Sequence, residues 1–79
     1  MTQTDVVELA TLRRVIASGD AKRLREAHRV SLGEVAAACE VAKSTVFRWE
    51  RGQLVPRGAG ARRYAALLAE LLAVVEVSR

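Results

Sequence analysis

Apolar positions recur three and four residues apart along most of the chain, and the interruptions between them predict five helices. From Asp5 to Ser18 the stripe is Leu9, Leu12 and Ile16, widened by Val6 and Val15, with Glu8, Arg13 and Arg14 opposite. Asp5, followed three residues later by Glu8, is the expected N-cap. Ser18-Gly19-Asp20 reads as a stop and restart, with Gly19 taking the left-handed conformation and Asp20 capping a second helix from Ala21 to about Arg29. That helix turns Ala21, Leu24 and His28 inward and Lys22, Arg23, Glu26 and Arg29 outward. Ser31-Leu32-Gly33-Glu34 has the spacing of a capping box, and Val35 to Cys39 continue a third helix of barely two turns.

Glu40-Val41 leaves room only for a tight turn before Ala42 to Arg51 resumes the helical pattern through Val46 and Trp49, and Gly52 closes it. Two short helices joined this way make a helix-turn-helix. Gln53 to Gly60, with the one proline, Pro56, reads as a loop. A last helix from Ala61 to about Val77 is apolar over most of its circumference. The expected fold class is therefore all-α, a small five-helix domain over residues 1–79: an extra N-terminal helix in 1–18, a motif core in 20–56 and a C-terminal helix in 61–77.

Charge concentrates where the motif lies. The chain carries 13 Lys+Arg against 9 Asp+Glu. Residues 1–42 balance, whereas residues 43–63 hold six bases and Glu50 alone as an acid. A basic segment of this kind suits an acidic partner. One cysteine, Cys39, and one histidine, His28, leave no ligand set for zinc and no catalytic pair, so neither an enzyme nor a cofactor is expected. Cys39 reads as a small core residue and His28 as packed or half-exposed. No apolar run approaches the roughly 18 residues of a membrane span, and the N-terminus has acids where an export signal has bases. The expected location is the cytoplasm, on the nucleoid. Arg outnumbers Lys eleven to two, a bias of high-GC bacterial or phage genes.

With Val46 and Trp49 inward, Lys43, Ser44 and Arg48 fall on the opposite side of their helix and Ala42 at its leading end. These residues have the chemistry of base readers in a major groove: cations for guanine, a hydroxyl that serves either way, and a methyl that permits close approach. Arg51, Arg57 and Arg62 extend the positive strip to where phosphates would lie. Phe47, beside this face, either packs on the loop before the last helix or touches a thymine methyl. Tyr64 either donates to a phosphate or joins the core.

The stretch Leu24 to Pro56 resembles the lambda-repressor-like, XRE/Cro-type helix-turn-helix regulators. The resemblance rests on Ser31-Leu32-Gly33-Glu34-Val35-Ala36 at the entry to the first motif helix, on Ser44-Thr45-Val46-Phe47-Arg48-Trp49-Glu50-Arg51-Gly52 as the recognition helix and its ending, on Pro56 after it, and on Leu24-Arg25 before it. It implies base contacts at Ala42, Lys43, Ser44 and Arg48 and phosphate contacts at Ser31, Thr45, Arg51, Gly52 and Arg57. It also implies an ion pair between Arg25 and Glu50. Glu40 stands where the family has a turn glycine, and Leu32 where it is often polar, so a contact there is lost. The implied function is a sequence-specific double-stranded DNA-binding transcriptional repressor without a cofactor.

One such module reads few base pairs, so a homodimer is expected, with Leu67, Leu71 and Val74 of the last helix, or Leu9, Leu12 and Ile16 of the first, as the candidate interface. The opposing expectation is that these two helices complete one core. A further alternative is an antitoxin-like or phage regulatory interaction module whose C-terminal helix binds another protein.

Overall fold

Capping residues set most of the boundaries. The computed structural model describes residues 2–77, with side chains from Thr2 to Ala73. Five helices follow one another: α1 (Gln3–Ala17), α2 (Asp20–Ala27), α3 (Leu32–Cys39), α4 (Lys43–Glu50) and α5 (Gly58–Val77). There is no strand among the described residues.

The cap of α1 is Thr2, not Asp5. The Thr2 hydroxyl accepts from the Asp5 amide, and the Asp5 carboxylate accepts from the Thr2 amide, so Asp5 closes the box from its third position. Asp20 does not cap α2 either. Gly19 holds that place at φ 80°, and the Asp20 carboxylate binds Arg23 and the Ser18 hydroxyl instead. Ser31 and Glu34 form the reciprocal box expected of them at α3. These amide donors hold the Asp5 and Glu34 carboxyls below their ordinary pKa.

Helices α1 to α4 each stop at a residue in the left-handed region: Gly19, Arg29 at φ 56°, Glu40 at φ 59° and Gly52. The amides of Val30 and Val41 reach back to the carbonyls of Arg25 and Ala36, five residues earlier, which pins each chain reversal. Two of the four positions therefore lack the glycine their backbone favours, at a cost of about 1 kcal/mol each. Arg29→Gly is expected to raise stability by about 0.5–1 kcal/mol, read as a higher urea midpoint with an unchanged slope.

The core draws Leu9, Leu12 and Ile16 from α1, Ala21 from α2, Val35, Ala36 and Cys39 from α3, Val46 and Trp49 from α4, and Ala61, Tyr64, Ala65 and Leu68 from α5. Helix α5 packs against α1, α2 and α3, and α3 against α4. It starts at Gly58, three residues before the expected Ala61. Its first turn passes so close to the α3–α4 turn that a Cβ at Gly60 would stand 2.6 Å from Val41 Cγ1, so glycine fits there and any side chain would have to displace Val41.

The α1 stripe lies in the chain's own core. Leu9, Leu12 and Ile16 are buried against α5, which removes them from any face open to a second copy; Leu67 and Leu71 are half-buried on the same core. The Val74 side chain lies outside the described residues.

Candidate nucleic-acid interface

Burial of Val46 and Trp49 fixes the rotation of α4. Trp49 stacks on Tyr64 of α5, with ring centroids 5.0 Å apart and planes 25° from parallel. Tyr64 is a core residue with no path to a phosphate, and burial pushes its phenol far above the ordinary range. With those side chains inward, Ala42, Lys43, Ser44, Phe47 and Arg48 are exposed together on the opposite face. Ala42 is the extended N-cap residue of α4 and makes no side-chain cap bond, so only a methyl stands at the helix's leading end.

The pair Arg25–Glu50 ties α2 to the end of α4. Arg25 Nε donates to Glu50 Oε2 at 2.6 Å, and its terminal nitrogens donate to Glu50 Oε1 at 3.1 Å and to the Val30 carbonyl at 2.9 Å. The two side chains are 11% and 4% exposed. The bidentate pair holds the Arg25 guanidinium above its already high pKa. Glu50, the one acid between residues 43 and 63, is thereby withdrawn and neutralised, so the exposed charge of that segment is positive throughout.

The candidate phosphate contacts are distributed less evenly. Arg51, Gly52 and Arg57 are exposed at and beyond the end of α4; Ser31 is exposed at the start of α3, its hydroxyl oxygen accepting from Glu34; Thr45 is half-buried. Arg62 is exposed on α5, and its charge helps to depress the Asp5 carboxyl of α1. Its neighbour Arg63 is the α5 cation that reaches the motif. Arg63 Nε lies 3.2 Å from Glu40 Oε2, and another of its nitrogens donates to the Cys39 carbonyl, gripping the left-handed turn from outside. No spacing in the sequence distinguishes Arg63 from Arg62; only the rotation of α5 does.

Phe47 does not pack on the loop before α5. It faces a cleft between α2, α3 and α4, of about 120 Å³, bordered by Lys22, Arg25, Leu32, Glu50 and Arg51. Lys22 thus joins the cationic rim from α2, a role invisible in the sequence because it depends on how α2 crosses α4. Cys39 is fully buried and burial raises its thiol pKa, consistent with a core residue. Among the described residues there is no cluster of metal-binding side chains and no helix long and apolar enough to cross a membrane.

A family model described as a helix-turn-helix domain matches residues 20–78, which takes in α2, α3, α4 and α5. No curated protein and no solved structure matches the chain.

Proposed function

Since the chain belongs to the helix-turn-helix domain family, a lambda-repressor-like assignment the sequence resemblance implied, we propose that it is a sequence-specific double-stranded DNA-binding regulator that seats α4 in the major groove. One observation carries this reading: α4 turns Lys43, Ser44 and Arg48 outward on a single face, while the only acid of the segment is locked into a pair with Arg25. Lys43 and Arg48 donate to guanine O6 and N7, Ser44 donates or accepts, and Ala42 lets the leading end approach the bases. Arg51 and Arg57 hold phosphates and set register, with Ser31, Thr45 and Gly52 beside them. Arg25 and Glu50 orient α4 without touching a base.

Regulation is by repression: a domain lodged in the groove of a promoter excludes polymerase, and no cofactor is needed. It acts as a homodimer in the cytoplasm, on the nucleoid, because one eight-residue helix reads too few base pairs to define a site alone. Residues 1–79 form one domain in this reading.

Selection from random duplex DNA at about 150 mM salt tests the proposal. A short palindrome with half-site centres about 34 Å apart is the expected product, and retention without enrichment of any sequence counts against base reading. On the selected duplex, Arg48→Ala is expected to cost about 1–3 kcal/mol and to relax one base position, whereas Arg57→Ala weakens all duplexes alike and lowers the salt slope by about one. An Arg48→Ala protein with unchanged preference contradicts the role given to that side chain.

A further inference from the structure

The cationic face has a large apolar interruption. Phe47 is 42% exposed, between residues that carry charge or a hydroxyl. Lys43, Phe47 and Arg51 are spaced four apart and form one row along α4, with Ser44 and Arg48 beside them. The ring is held in place: the Arg51 guanidinium carbon lies 4.7 Å from its centroid, and Leu32 shares the cleft behind it. One side of the ring is therefore taken by Arg51, while the exposed part faces the same way as Lys43 and Arg48.

An apolar group ringed by Lys22, Lys43, Arg48 and Arg51 fits a surface that is anionic overall and apolar at isolated points. Duplex DNA has that character in its major groove, where the thymine 5-methyl is the apolar feature among hydrogen-bonding edges. We propose that Phe47 is a specificity-determining residue that packs its ring edge on the 5-methyl group of one thymine. The contacted thymine lies between the bases read by Lys43 and Arg48 and the phosphate held by Arg51. The stacked guanidinium has two tasks here: it binds phosphate and presents the ring. This inference rests on α4 being the groove helix.

Replacing the thymines of the selected duplex one at a time by deoxyuridine removes single methyl groups and leaves base pairing intact. Wild-type protein is expected to bind about fourfold more weakly at one such position, the worth of one buried methyl. Phe47→Ala should bind the thymine and deoxyuridine duplexes equally, and Phe47→Leu should keep part of the difference. Circular dichroism and melting of both variants check that α4 remains folded, and Phe47→Leu keeps the assignment testable if Phe47→Ala does not fold. A wild-type protein that selects a site but tolerates every deoxyuridine overturns the Phe47 assignment alone, as does a Phe47→Ala protein that keeps the full discrimination. Wild-type protein that enriches no sequence overturns the reading of α4 and this inference with it.

Discussion

Glu50→Ala is expected to destabilise the fold by about 3 kcal/mol, a large share of the roughly 4–12 kcal/mol available to a domain of this size. The loss is not that of a surface ion pair. Glu50 is 4% exposed and answers a guanidinium that is itself 11% exposed, so truncation leaves a nearly buried cation without its partner. The value sits at the lower end for buried pairs because the cleft bordered by Lys22, Leu32 and Phe47 lets water approach the freed charge. Arg25→Ala should cost more, since Arg25 also donates to the Val30 carbonyl in the turn beyond α2. Replacing both residues by Met should recover most of the stability, because no charge is then stranded. Urea unfolding of the three proteins measures this. A Glu50→Ala unfolding free energy within about 0.5 kcal/mol of wild type refutes the buried pair, as such a change is typical of exposed sites.

Trp49→Ala carries the largest expected cost, about 3–5 kcal/mol, from lost burial and the cavity left between α4 and α5. Trp49 is 3% exposed, stacks on Tyr64 and lies beside the tight approach of Gly60 to Val41, where neighbours have little freedom to collapse into the space. A shift of at least 12 °C in the midpoint is the rough equivalent for a domain of this length. Helical circular dichroism during melting is the readout, because the mutation removes the only tryptophan. Retention of a wild-type midpoint is incompatible with the stacked core. Trp49→Phe, which keeps an aromatic face for Tyr64, should lose less than half as much.

The helices and the outward face of α4 were legible because each depends on local periodicity and on residue types that act within four positions. Val46 and Trp49 alone decide which side of α4 faces out, and Ser31 with Glu34 marks the start of α3. What escaped depends on competition or on tertiary geometry. Thr2-to-Asp5 and Asp5-to-Glu8 have the same box spacing, and the hydroxyl won the cap. Arg29 carries no mark of a left-handed backbone, because the conformation is imposed by where α2 must stop. Gly58 and Gly60 signal a loop by type, yet the first turn of α5 needs the missing side chain at Gly60 to pass Val41. The pairing of Arg25 with Glu50 came from family resemblance, since nothing local joins residues 25 apart. Nothing local separates Arg62 from Arg63 or places Lys22 on the rim either; the rotation of α5 and the packing of α2 do so.

The packing of α1 on α5 imposes an order on the chain's biosynthesis. Ala61, Tyr64, Ala65 and Leu68 of α5 are part of the core that buries Leu9, Leu12 and Ile16. Ribosomes add about 5–20 residues per second, so the α1 stripe leaves the exit tunnel seconds before its cover does. During that interval the nascent chain carries an apolar helix with only α2 and the motif helices to shield it. The α3–α4 hairpin, whose contacts are local, can form in the meantime, but Trp49 has no Tyr64 to stack on until α5 emerges. Helix α4 thus acquires its fixed orientation last, once α5 has emerged past Leu68.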